Sequence, residues 1–226
     1  AIVFVVYMIL AKDAPNAPAA KPIAAYLEPL KSADAWWLMA FYAVTFGGFI
    51  GLSSSLSIYF TDQFGLTTIV AGYCTAGCVF AGSLVRPMGG ALADRIGGIK
   101  TLSFVYMAAA AALVGISTGP SSLVVSLGFF VAAMLALGVG NGAVFQLVPQ
   151  RFRAEIGVMT GLVGFAGGIG GFYLASSLGL AKQVTGAYQS GFLIFAALAL
   201  VALLGLTMVK RKWRTTWGAA IQGVRI

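Results

Sequence analysis

Gly90-Ala91-Leu92-Ala93-Asp94-Arg95-Ile96-Gly97-Gly98-Ile99-Lys100 is a short, charged, glycine-bearing run at the junction of two long apolar stretches, Thr68 to Leu92 and Thr101 to Ser117. A helix crosses about 30 Å of hydrocarbon in about 20 residues, and lipid offers no water to an open backbone. Two such stretches joined by a few polar residues are therefore read as two membrane helices and a tight turn. Working outward, the same pattern recurs in Trp36 to Phe60, Ser122 to Val148, Ile156 to Leu180 and Tyr188 to Val209. Hydrophobic residues make up 60% of the chain and charged residues 9%, too few charges to clothe a water-exposed surface. Mean hydropathy is +0.95. The expected fold is all-α: a polytopic transmembrane bundle of six helices over residues 36–209.

The flanks are read from the same rules. Ala1 to Ala11 is apolar but too short to span and has no initiating Met, so it is expected to be the end of a truncated helix and the chain a fragment. Residues 12–35 carry Pro15, Pro18, Pro22 and Pro29 and are expected to be a linker. Residues 210–226 form a basic tail, in which Lys210-Arg211-Lys212-Trp213-Arg214 reads as an interfacial anchor against lipid.

With six spans, alternate loops fall on opposite sides of the membrane. Lys12, Lys21, Lys31, Arg95, Lys100, Arg151, Arg153, Lys210, Arg211, Lys212, Arg214 and Arg225 then share one side, and Lys182 stands alone on the other. The positive-inside rule puts the linker and the C-terminus in the cytoplasm, with the bundle in the cell's inner membrane. A net charge of +8 is thus explained by topology, and nucleic acid is not an expected partner.

The chain has no His, and its two cysteines, Cys74 and Cys78, lie one helical turn apart in a span, a poor ligand set for a metal. Neither metal nor cofactor is expected. With no carboxylate inside the six stretches and no nucleophile beside a base, an enzyme is not expected either, though a membrane-embedded enzyme or sensor is the rival of a different class.

Arg86 is the only charge within a span. Its cost in hydrocarbon calls for a reason, and snorkelling towards the nearby turn is the simplest. Its helical neighbours Cys78, Gly82, Gly89 and Gly90, however, form a small-residue face suited to helix packing. An arginine on such a face suits an exogenous anion, because its planar fork donates two parallel hydrogen bonds to a planar oxyanion. A carboxylate lying outside this chain is the remaining reading.

Two further patterns sit in other spans. Tyr42, Phe46, Phe49 and Ser53 recur at helical spacing and can wall a pathway or simply pack. Glycines at 157, 161, 164, 168 and 171, with Gly167 and Gly170 beside them, draw a smooth stripe that permits close approach of a helix or a ligand. Gly138-Val139-Gly140-Asn141-Gly142-Ala143 fits a dinucleotide fingerprint only on paper: it lies at the end of an apolar helix with no strand before it, and is read as helix packing near the pathway.

Gly90-x-x-x-Asp94-Arg95-x-Gly97 resembles the signature turn between the second and third helices of each half of the major facilitator superfamily. Tyr42 to Gly51 resembles the seventh helix of its nitrate/nitrite porters, and Ser83-Leu84-Val85-Arg86-Pro87-Met88-Gly89-Gly90 the end of the eighth. Gly161-Leu162-Val163-Gly164-Phe165-Ala166-Gly167-Gly168-Ile169-Gly170-Gly171-Phe172 resembles the glycine-rich signature of the eleventh. The resemblance covers essentially the whole chain and implies the C-terminal half of such a porter, moving nitrate and/or nitrite by alternating access. It further implies Arg86 as one of two arginines clamping the anion, Tyr42 and Phe46 as lining, Gly161, Gly164, Gly167, Gly168, Gly170 and Gly171 as a close-packing helix, and Gly90, Asp94, Arg95 and Gly97 as a conformational-switch turn. On this reading the missing N-terminal half is the chain's partner, and the chain alone is not expected to transport. A major facilitator for another small anion or solute is the nearest alternative.

Overall fold

The computed structural model describes residues 2–11 and 26–218. Lys12, Lys21, Pro15, Pro18 and Pro22 of the expected linker, and Arg225 of the expected tail, lie outside the described residues.

Helix α1 (Ile2–Leu10) is short and exposed along its length. After a 3-10 turn at Glu28–Lys31 come α2 (Ala33–Phe64), α3 (Thr68–Leu84), α4 (Arg86–Ile96), α5 (Gly98–Ser117), α6 (Leu123–Arg151), α7 (Ile156–Thr185) and α8 (Gln189–Thr215). Since α3 and α4 are interrupted only at Val85, the described residues hold six helices long and apolar enough to cross a membrane: Ala33–Phe64, Thr68–Ile96, Gly98–Ser117, Leu123–Arg151, Ile156–Thr185 and Gln189–Thr215.

Helix α2 overruns its apolar stretch at both ends because the capping residues there are ones that a hydropathy reading leaves out. The Ser32 hydroxyl accepts the Asp34 N–H at the start of α2, and Gly65 closes its C-terminus in the left-handed region at φ 62°. Helix α2 thereby takes in Asp34 and Asp62, carboxylates that the shorter sequence-based bounds place outside the spans.

Two contacts orient the bundle. At one end Asp34, at the start of α2, accepts Arg151 Nε at 2.6 Å from the end of α6 and Trp213 Nε1 at 2.8 Å from the end of α8. At the other end Asp62, near the end of α2, accepts the Tyr188 hydroxyl at 2.8 Å and lies 3.9 Å from Lys182 Nζ. Helices α6 and α8 therefore run opposite to α2, and α7 runs with it. Trp213 is fully buried, packed edge-on against Phe41 at 6.0 Å between centroids, and so differs from the interfacial anchor expected of the basic tail. The buried carboxylate draws it inward, since an indole N–H in the core needs an acceptor.

Without a hydrophobic force between helices in lipid, close approach of backbones does much of the holding. Helix α2 packs most extensively on α7, where a methyl added at Gly47 would stand 2.6 Å from the Gly170 carbonyl carbon, and one at Gly170 would strike the Ala43 backbone. A second seam joins the α3–α4 span to α6: Gly138 abuts the Gly82 carbonyl, Gly89 abuts Val139, and Gly142 abuts the Arg86 carbonyl. The fingerprint-like Gly138 to Ala143 run thus lies well inside α6, which continues to Arg151 instead of ending there, and its glycines face neighbouring helices.

Candidate functional site

Arg86 opens α4 immediately after the break at Val85, with Pro87 next. Proline has no N–H to give to the preceding turn, which explains why the helix is interrupted here. The Arg86 guanidinium carbon lies 4.4 Å from the Phe49 ring centroid and 5.1 Å from that of Phe46. Its Nε is buried with no hydrogen-bond partner, and neither the Arg151–Asp34 nor the Lys182–Asp62 ion pair involves it. The small-residue face read from the sequence packs as expected: Gly82 and Gly89 are buried against α6.

Arg86 lines a groove of about 770 Å³ between α4 and α6 that also touches Asp94, Gly142, Phe145, Gln146, Gln150 and Arg153. Phe145 meets Tyr42 edge-on at 4.9 Å, and Tyr42 stacks on Phe46 at 5.0 Å. Tyr42, Phe46 and Phe145 thus form one aromatic layer beside the arginine, and Phe49 joins it only through the guanidinium that it and Phe46 both face. Phe145 is the member that sequence spacing missed, because it comes from α6 and joins the others only through the α2–α6 packing. Ser53 does not join them: its hydroxyl donates to the Phe49 carbonyl one turn back at 2.6 Å. The arrangement is a cation held by ring faces, a contact worth about 0.5–2 kcal/mol, with an unpartnered Nε and, among the described residues, no carboxylate in ion-pair contact with it.

The glycines of α7 divide into two faces. Gly167 lies against the rings of Tyr42 and Phe46, and Gly170 and Gly171 against Ala43 and Ile50 of α2. Gly157, Gly161, Gly164 and Gly168 have open space where a side chain would be. The evenly spaced stripe read from the sequence therefore differs from the packed face, which runs Gly167, Gly170, Gly171 and Leu174. Of the expected switch turn, Gly90, Asp94 and Arg95 are residues of α4, and the break falls at Gly97 alone, at φ 99° and ψ 138°. Asp94 reaches the same groove as Arg86 and Arg153.

Residues 1–175 match the Major Facilitator Superfamily. The chain is 35% identical over 169 residues to a protein named nitrite extrusion protein from Bacillus subtilis, a match covering 75% of this chain and 42% of that one. It is 37% identical over 202 residues to the probable nitrate/nitrite transporter NarK2 of Mycobacterium tuberculosis, covering 88% of this chain and 51% of that one. Against the probable nitrate transporter NarT of Staphylococcus carnosus it is 31% identical over 216 residues, covering 94% and 55%. The chain spans about half the length of the curated relatives it matches. With six apolar helices and this match, the protein is a multi-pass membrane protein, and it belongs to the Major Facilitator Superfamily.

Proposed function

We propose that this chain is one six-helix bundle of a secondary transporter that carries nitrate and/or nitrite across the cytoplasmic membrane by alternating access, with its C-terminus in the cytoplasm. The observation that carries the reading is Arg86: a guanidinium stacked on Phe46 and Phe49, unpaired among the described residues, at the head of a groove. Ring faces hold the cation without neutralising it, which leaves its N–H fork for a planar oxyanion. The relatives named for nitrate and nitrite support the choice of anion.

Tyr42 and Phe46 line the anion's path, and Gly97 is the pivot at which the α4–α5 connection bends. The second bundle supplies the opposite wall, as the double length of the relatives suggests, and the open glycine face of α7 at Gly161, Gly164 and Gly168 suits close approach of its helices.

Nitrate and nitrite binding to the purified transporter, wild type against Arg86→Lys, tests the reading. The lysine keeps the charge but loses the two-pronged geometry, so binding weakens by about tenfold or more while insertion is unchanged. Equal affinity in the two proteins removes Arg86 from the site, and tighter binding of another small anion than of nitrate and nitrite reassigns the substrate.

A further inference from the structure

Asn141 is 3% exposed and Thr45 fully buried, yet Asn141 Nδ2, Asn141 Oδ1 and Thr45 Oγ1 have no hydrogen-bond partner. Orphaned buried amides and hydroxyls are rare in folded proteins because each forfeits its hydration without return. Elsewhere in these spans the hydroxyls solve this problem by donating to the carbonyl one turn back, as Ser53, Thr75, Thr101 and Ser103 do. For Thr45 that acceptor is the Phe41 carbonyl, which instead receives the Tyr106 hydroxyl at 3.0 Å. The fold thus keeps the Thr45 hydroxyl from its ordinary partner.

The position of the pair gives that a meaning. Successive residues of a helix turn by about 100°, so on α6 Asn141 shares a face with Gly138 and Phe145. Gly138 abuts Gly82 and Val85, the segment that leads into Arg86, and Phe145 meets Tyr42 at 4.9 Å. A methyl at Gly140, next to Asn141, would stand 2.7 Å from Thr45 Cγ2. On α2, Thr45 lies one turn from Tyr42 and one turn from Phe49, whose ring carries the Arg86 guanidinium. The orphaned amide and hydroxyl therefore sit beside the aromatic rings: Asn141 immediately precedes Gly142 and lies one turn before Phe145, both of which line the Arg86 groove, and Thr45 packs on Gly140.

We propose that Asn141 and Thr45 are the neutral half of the anion site: the Asn141 carboxamide N–H and the Thr45 hydroxyl donate to oxygens of the anion that Arg86 holds. The inference rests on the anion reading of Arg86 and deepens it. Two neutral donors fix the orientation of a small oxyanion without adding further positive charge, so that binding remains reversible. Asn141 and Thr45 favour an acceptor-only guest with several oxygens over a halide, which would use fewer of these donors.

The test uses Asn141→Leu, Asn141→Asp, Asn141→Ala and Thr45→Val in the intact transporter, with nitrate affinity and the melting temperature without anion as paired readouts. A group that lacks a partner until the anion arrives is a liability in the empty protein. Asn141→Leu is therefore expected to keep or raise the anion-free melting temperature while lowering nitrate affinity about tenfold. Thr45→Val is expected to lower affinity by about threefold in the same pattern, and Asn141→Asp to abolish binding by placing a carboxylate against the anion. If Leu does not insert, Asn141→Ala gives the same two readouts. Unchanged nitrate affinity in Asn141→Leu or Asn141→Ala overturns the proposal, as does a fall in the anion-free melting temperature in both, which would show a partner within the bundle. Arg86→Lys, measured alongside, separates the failures: lost affinity there with full affinity in the Asn141 variants sinks this inference alone, whereas full affinity in Arg86→Lys sinks the anion site itself.

Discussion

Asp34 and Trp213, 179 positions apart, are joined by a 2.8 Å hydrogen bond from the indole N–H to the carboxylate. The other carboxylate oxygen accepts Arg151 Nε at 2.6 Å, so one side chain ties the first turn of α2 to the last turns of α6 and α8. Asp34→Ala is expected to destabilise the protein by about 2–3 kcal/mol, because it strands a buried N–H and a half-buried guanidinium at once. Asp34→Asn keeps an acceptor for the indole and is expected to lose about half as much. Thermal unfolding in detergent checks both, and equal stability of wild type and Asp34→Ala would show that the tie contributes nothing.

The two faces of α7 make opposite predictions for the same substitution. Gly170→Ala drives a methyl into the Ala43 backbone and is expected to cost about 1–3 kcal/mol as overpacking. Gly168→Ala meets open space in this bundle and, by helix propensity, is expected to leave its stability unchanged or raise it by up to about 1 kcal/mol. Loss of transport in Gly168→Ala without loss of stability would place that face against the second bundle. Matching stability losses in the two variants would mean that the packed face has been misassigned.

At the opposite end from Asp34, Tyr188 donates to Asp62 at 2.8 Å, and Lys182 lies over the Tyr188 ring at 4.9 Å. Tyr188→Phe keeps the ring and removes the donor. It is expected to lower stability by about 1 kcal/mol, the usual worth of one hydrogen bond. Double-mutant comparison with Asp62→Asn checks the link, since additive losses would mean that the two groups do not interact.

Topology is tested by single cysteines in a background lacking Cys74 and Cys78. A cysteine at Lys100 or Arg153 is expected to react with an impermeant reagent only from the cytoplasmic side, and one at Lys182 only from outside. The reverse pattern would invert the proposed orientation.

The number of helices, their alternation and the isolation of Arg86 were legible in the sequence, because apolar length and placement of charge are local properties that lipid reads directly. The ends were less so: Asp34 and Asp62 belong to α2, yet a polar residue in a first or last turn looks like a loop until its partners are known. The glycines of α7 were legible as a stripe, but not which of them this bundle covers. Regular spacing shows that glycines share a face but not that the face is covered, and it is Gly167, Gly170 and Gly171 that α2 meets.

By itself, then, the sequence determined a six-helix membrane bundle with most of its basic residues assigned to one side and one arginine within a span, since each of these follows from what a stretch of chain costs to place in hydrocarbon. Only the tertiary structure decided what surrounds that arginine. Phe145 arrives from α6 to complete the rings of Tyr42 and Phe46. Tyr106, 65 positions from Phe41, takes the carbonyl that Thr45 would otherwise use. These are meetings between distant segments, and no local pattern records them, because the choice of partner for a polar group is made by packing after the helices have formed.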